Sequence, residues 1–299
     1  MLDFKDKNYI SFLILSNENI NLTFDFLVEL EKEILENFEN FEIILIDENY
    51  KCKEILEKLK KLTIKMSIIY LNKDYGKESS INLGIEKCIG DYIFVFERYI
   101  PDSKFIKFAI GKYKDNLGME DITLIGYKEK SILKKIFYKI MSNNEKDKYL
   151  PILVSIISRK ALNRIKSIFN TSLYRNSEYR ISGLKLGQEI YEYKYNDKFN
   201  IKNINLGIDS MLIYTDIVFK VGTFVTVFFF FISIFSILYT IYFYLINKTI
   251  QGWTTVMLLL SVSFFGLFLI LNLFLRYLNL ILRNSFYKRN IFSDRIENV

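Results

Sequence analysis

Acidic residues follow apolar runs at three places in this chain of 299 residues. Asn17-Glu18 comes after Tyr9–Leu15, Asp47-Glu48 after Phe41–Ile46, and Glu97 after Tyr92–Phe96. In an open α/β sheet ligands sit just beyond the carboxyl ends of the strands, so acids at three exits of one edge converge on one crevice. Carboxylates there can hold a ribose or base by hydrogen bonds, or a divalent cation with its phosphates. Acids that merely end strands and solvate loops are the competing reading. The chain has no histidine and two cysteines, Cys52 and Cys88, at no short spacing. That excludes zinc sites of Cys/His type, His-based triads and His general bases. The two thiols read as buried groups in a reducing compartment. There is no GxGxxG, and Gly76-Lys77 runs into Glu78 without the upstream glycine of a P-loop.

The elements that must position these residues are legible from periodicity. Tyr9–Leu15, Phe41–Ile46, Ile64–Leu71 and Tyr92–Phe96 are nearly continuous apolar runs, as expected of strands covered on both faces. Between the first two, Leu22, Phe26, Leu30, Ile34 and Phe38 recur at helical spacing. A Lys-rich amphipathic helix is expected over roughly 53–62, after the second strand. Residues 72–102 form the central stretch: a turn at Asn72 and Gly76, a helix with Ser80, Ile81, Leu83, Gly84, Ile85 and Cys88 on one face, a Gly90-Asp91 corner, and the fourth strand. The order defines an α/β protein with a mostly parallel sheet. Further on, helices are expected at Phe105–Tyr113, Ser131–Met141 and Arg159–Phe169, and strands at Asp121–Tyr127, Ile152–Ile157 and Glu189–Tyr195.

The last third has a different character. Thr223–Ile246 and Thr254–Leu275 carry no charge, and each exceeds the roughly 20 residues that cross a hydrocarbon core. The short link NKTIQGW makes them a hairpin, with Trp253 at an interface. An amphipathic helix is expected over 205–222, lying at the membrane surface. The tail carries Arg276, Arg283, Lys288, Arg289 and Arg295 against Lys248 alone in the hairpin, which puts both termini in the cytoplasm of a two-span integral membrane protein. The N-terminus MLDFKDKNYISFLIL lacks the pattern of a signal peptide. The formal charge of +7 fits a Lys-rich surface or an anionic membrane; basic residues interleaved with acids argue against nucleic acid. Neither span contains an ionisable residue, which argues against a transporter.

Several of these residues carry a resemblance. Asn17-Glu18, Ile46-Asp47-Glu48-Asn49, Asn72-x-x-x-Gly76, Asn82-x-Gly84 and Gly90-Asp91-Tyr92, in that order, resemble a family 2 glycosyltransferase of the GT-A fold. The C-terminal hairpin, with Gln251-Gly252-Trp253 and a basic tail, narrows the likeness to bactoprenol glucosyltransferases and dolichol-phosphate mannose synthases. The resemblance covers nearly the whole chain. It implies a GT-A-like domain over 1–204, with a nucleotide-sugar half (1–102) and an acceptor half (103–204). A juxtamembrane helix (205–222), a transmembrane hairpin (223–278) and a basic cytoplasmic tail (279–299) follow.

The activity implied is inverting transfer of a hexose from a nucleotide sugar to a polyprenyl phosphate on the cytoplasmic face. Asn17, Glu18, Asp47, Glu48, Asn72, Gly76 and Asp91 then fall at the nucleotide sugar. Glu97, Arg98 and Asp102 fall at the catalytic loop, and Lys128, Lys194 and Lys202 at the acceptor phosphate. Arg175, Arg180 and Lys220 are further basic residues for that phosphate. Glu97 matches the first acid of the family's Asp-x-Asp motif, which binds Mg²⁺ or Mn²⁺ and the diphosphate. Tyr99 stands where the second acid belongs, and a phenol protonated at neutral pH cannot replace a carboxylate on a hard cation. Arg98 could supply the missing positive charge if it faced the crevice, although strand alternation sends it away from Glu97. The family's Asp-Phe-Arg motif, which precedes a Ser-Arg pair (here Ser158-Arg159), is replaced by Leu153 and Ser155 at its two charged positions. These departures leave two readings: an active enzyme, or a weakened or inactive homologue serving as a membrane-anchored binding or assembly subunit. A homo-oligomer is compatible with either.

Overall fold

The computed structural model describes residues 5–16, 19–48, 50–73, 75–98, 100–128, 135, 138–139, 149–168, 174–193, 217–246, 252–285 and 295–298. Two compact units are formed, one from residues 1–198 with 287–299 and one from residues 199–286.

The first unit is built on one eight-stranded sheet. Its first half runs β1 (Asp6–Leu15), α1 (Ile20–Asn37), β2 (Phe38–Glu48), a 3₁₀ turn (Lys51–Ile55) with the short α2 (Leu56–Leu59), β3 (Met66–Leu71), α3 (Lys77–Lys87) and β4 (Tyr92–Phe96). α4 (Ser103–Asn116), β5 (Ile122–Gly126), β6 (Ile152–Ser158), α5 (Arg159–Ile168), α6 (Arg175–Ile181) and β7 (Leu186–Ile190) follow. The strand order is β7-β5-β6-β4-β1-β2-β3, closed at the far edge by β8 (Arg295–Asn298) antiparallel to β3. β4, β1, β2 and β3 are mutually parallel, whereas β6 runs antiparallel to β4 and β5. The chain steps from β1 to β2 to β3 and then returns to the other side of β1 with β4. The β1/β4 boundary is therefore the topological switch point, where an open sheet leaves a crevice.

Alternation along the buried strands fills two cores. Ile10, Phe12, Ile14, Phe94 and Phe96 pack with α1 and α4 on one face, and Leu13, Ile44, Ile46, Ile93 and Val95 pack with α3 and α5 on the other. α3 lies close because Gly84 has no side chain: a Cβ there would come within 2.4 Å of Leu13 Cδ1 and 2.5 Å of Ile46 Cδ1. The Lys-rich helix expected after β2 is shorter than expected, an α-helical turn at Leu56–Leu59 entered through a 3₁₀ turn at Lys51–Ile55 whose Lys51 and Cys52 N–H groups donate to Asp47. The strand expected at Glu189–Tyr195 is displaced to Leu186–Ile190, where it gains a parallel partner in β5. The α6 helix and the C-terminal strand β8 are additions the sequence pattern did not announce. The helices expected at Ser131–Met141 and 205–222 fall largely outside the described residues.

The second unit is a pair of helices, α7 (Ile217–Leu245) and α8 (Trp253–Ser285). Phe229 stacks on Phe268 at 4.0 Å, and Ser233 Oγ donates to Ser261 O across the pair at 2.7 Å. Lys220–Leu245 and Trp253–Leu278 are long and apolar enough to cross a membrane, with 6% and 0% of their most apolar windows buried, unlike core helices of a soluble protein.

Candidate functional site

Register brings the predicted acids to one level of the sheet. Ile14 pairs with Phe96, Leu15 with Ile46, and Tyr70 and Leu71 with Asp47 and Glu48. At about 4.8 Å between neighbouring strands, Glu97 and Asp47 are separated by roughly 10 Å across β1. Alternation then divides them between faces. Asp47 turns to the α1 side, whereas Glu48 and Glu97 turn to the α3 side.

Asp47 is fully buried and fully engaged. It accepts from Ser16 Oγ (3.1 Å), Lys51 N (3.1 Å) and Cys52 N (2.8 Å), so it caps the 3₁₀ turn. Burial raises its carboxyl above the ordinary range, and these hydrogen bonds oppose the rise.

On the other face the first turn of α3 is the centre of the site. Ser80 Oγ donates to Glu48 Oε1 at 2.5 Å. Lys77 Nζ donates to Glu97 Oε2 at 2.9 Å. Arg175, from α6, reaches Glu97 Oε1 (3.1 Å) with one terminal nitrogen and Glu78 Oε2 (3.0 Å) with the other. The side chains of Arg175, Glu97 and Glu78 are only 3%, 8% and 12% exposed, while that of Lys77 is 37% exposed. Burial pushes the Glu97 carboxyl up, but Lys77 and Arg175 overrule it and hold it at about 2. Glu78 moves the other way: burial raises it, and the Glu97 charge adds to the rise against the pull of Arg175 and Lys77. Beneath this cluster Ser155 Oγ and Tyr179 Oη lie beside one another, neither with a well-formed hydrogen bond among the described residues. Arg175 Nε is likewise without a partner there.

The remaining expected site residues distribute as follows. Asn72 and Gly76 lie on the same sheet edge, after β3. Asn72 Oδ1 accepts from the Tyr75 hydroxyl at 3.2 Å, and Gly76 takes φ +87° as it turns the chain into α3. Arg98 does face away from Glu97: its guanidinium lies over the Tyr127 ring at 5.5 Å. Asp102 is the N-cap of α4, accepting from Lys104 N at 2.9 Å, which is a structural task. Asp91 is a correction. It precedes β4 and so lies at the opposite edge of the sheet, roughly 20 Å of strand away from Glu97. There it receives Tyr9 N at 3.0 Å and anchors the corner that Arg159 also grips, through the carbonyls of Cys88 and Gly90 at 2.7 Å each. Arg175 and Arg180 are also corrected as acceptor residues, since both are turned inward; Arg180 lies over the Tyr149 ring at 4.5 Å. Lys128 and Lys220 are exposed. Asn17, Glu18, Tyr99, Lys194 and Lys202 lie outside the described residues.

Lys77, Glu78 and Ser80 were missed by sequence reasoning. A signal existed: they form the first turn of the helix that follows a strand exit on the ligand-bearing edge. The role of Arg175 had none, because α6 is far along the chain and weakly periodic.

A divalent cation does not fit these residues. It would need to sit at about 2.0–2.6 Å from a Glu97 oxygen, where an ammonium and a guanidinium already stand. No group of three or more metal-ligating side chains occurs among the described residues. Displacing Arg175 would leave a buried charge unpaired, at a cost of about 3–5 kcal/mol.

The family model for glycosyl transferase family 2 matches residues 16–97, and over that segment the likeness to these enzymes holds. No curated protein matches the chain. Among solved structures, the glucosyl-3-phosphoglycerate synthase from Mycobacterium tuberculosis in complex with Mn²⁺ and uridine-diphosphate-glucose is similar at 11% identity and TM-score 0.51, over 69% of this chain and 77% of that one. The fold is thus of the GT-A type, a mostly parallel sheet with helices on both faces, followed by two long apolar helices. A mannosyltransferase from Pyrobaculum calidifontis in complex with GDP-Man and Mn²⁺ (8% identity, TM-score 0.49) and TarS of S. aureus (16%, 0.43) are covered over 63% and 57% of their lengths by 69% and 60% of this chain. The chain therefore spans less than two thirds of either.

Proposed function

We propose that the protein moves a hexose from a nucleotide sugar to a polyprenyl phosphate at the cytoplasmic face of a membrane. The observation that carries this is the family match over residues 16–97, the segment that ends on Glu97 and contains the acids of the ligand-bearing edge. In the reaction, a phosphate oxygen of the lipid attacks the anomeric carbon, the bond from that carbon to the diphosphate breaks, and the nucleoside diphosphate leaves with the electron pair. A phosphate monoester is already anionic, so no general base is required, and the Leu and Ser at positions 153 and 155 do not prevent the step. Anchoring by α7 and α8 would bring a lipid acceptor and a soluble donor together. Lys128, Lys194 and Lys202 are proposed to meet the acceptor phosphate, and Asn72 and Glu48 to meet the donor. The expected domain limits and the cytoplasmic termini are part of the same proposal. The return of the chain as β8 to the sheet it left supports an even number of crossings.

A second reading is a weakened homologue that binds without turning over, favoured by the closed ion cluster at Glu97. Membranes containing the protein, incubated with labelled nucleotide sugars, distinguish the two. Label entering a butanol-extractable lipid is expected. No transfer with any of several donors, together with no nucleotide-sugar binding, overturns the enzyme reading.

A further inference from the structure

The mismatch between Glu97 and a divalent ion has a constructive side. The glutamate's two oxygens each receive a cationic side chain, Lys77 at 2.9 Å and Arg175 at 3.1 Å. Together these bring two positive charges to the place where one divalent ion would bring the same charge. The two cations are not equivalent. Arg175 is buried, lies between Glu97 and Glu78, and also donates to the Glu78 carbonyl at 3.3 Å. Leaving either carboxylate would strand a charge in the interior, so Arg175 is fixed. Lys77 is 37% exposed and makes a single ion pair among the described residues. An ammonium has three donors, so Lys77 can keep Glu97 and still give two N–H groups to an incoming anion. It is also the first residue of α3, directly after Gly76. Its charge and the helix end thus reinforce one another toward an anion on the crevice side.

We infer that this chain holds the diphosphate of its donor without a divalent cation, Lys77 supplying the contact and Arg175, with Glu78 and Glu97, positioning it. The inference rests on the donor-site reading above. It makes Lys77 a binding residue and Arg175 a positioning residue. It also accounts for Tyr99: once two side-chain cations occupy the first acid, a second acid has no ion to share.

The test is calorimetric binding of UDP-glucose and GDP-mannose to the full chain in detergent, with EDTA and then with Mn²⁺. Mn²⁺ bound to the protein alone is counted in parallel by electron paramagnetic resonance. The expected result is equal affinity with EDTA and with Mn²⁺, and no stoichiometric Mn²⁺ on the protein. Lys77→Ala should then weaken the nucleotide sugar tenfold or more while changing the affinity for the nucleoside alone less than twofold. A merely structural lysine would alter both or neither. Arg175→Lys, which keeps the charge but not the two-carboxylate fork, should weaken the nucleotide sugar with restored binding neither by Mn²⁺ nor by Mg²⁺. Binding that requires Mn²⁺, or one Mn²⁺ per chain lost in Glu97→Gln, overturns the inference and leaves the donor reading standing. No nucleotide-sugar binding under either condition overturns both.

Discussion

Glu97→Gln is the perturbation that tests the site most directly, because it removes a charge and leaves the shape. The carboxylate is 8% exposed and receives Lys77 and Arg175 at 2.9 and 3.1 Å. Lys77 and Arg175 hold its carboxyl at about 2, below the usual 4.5, against the upward push of burial. Removal of one partner from a buried pair costs about 3–5 kcal/mol. For a domain of this size each kcal/mol moves the melting temperature by about 2–4 °C, giving an expected drop of about 6–20 °C. The pH dependence fixes the sign. A carboxyl with a depressed folded value stabilises above its unfolded value and loses that contribution as pH falls toward the folded one. The gap between wild type and variant should therefore be full near neutral pH and narrow between about 4.5 and 2. Thermal melts of the full chain in detergent, followed by circular dichroism across that range, measure it. A melting temperature unchanged within about 2 °C, or a gap that widens on acidification, would refute the ion cluster.

Three further outcomes follow from the geometry. Asp47→Asn places an amide NH₂ against the N–H of Cys52 or Lys51, and a stranded buried donor costs about 1–3 kcal/mol, read as a lower melting temperature. Gly90→Ala is expected to be at least as damaging, about 1–3 kcal/mol or more, since its Cβ would fall 2.6 Å from Ser11 N and 2.8 Å from Tyr9 O, both backbone; a wild-type melt would refute the close approach. Cys52 and Cys88 are buried, and burial raises both thiols, Cys88 to about 12, so neither should react with iodoacetamide at mildly alkaline pH until the chain is denatured. Mass spectrometry of the folded protein checks this, and rapid labelling would contradict it.

The sequence by itself determined the parallel half of the sheet and the two apolar helices. Tyr92–Phe96 occurs at the expected limits because five consecutive apolar residues, four of them fully buried, suit a strand covered on both faces. Alternation also foretold that Arg98 would turn from Glu97, and the acid exits at positions 47, 48 and 97 share the expected edge. Local pattern could not assign the partners of those acids. Asp47 and Glu48 are adjacent in sequence yet turn to opposite faces, one to cap a turn and the other to meet Ser80. Asp91 resembles a site residue in its motif, but β4 carries it to the wrong end of the sheet. Above all, the neutralisation of Glu97 is a tertiary decision: Lys77 is 20 residues away and Arg175 78 residues away in the chain. A buried carboxylate must find its counter-charge wherever packing delivers one, and periodicity carries no record of contacts between a helix and a strand so far apart.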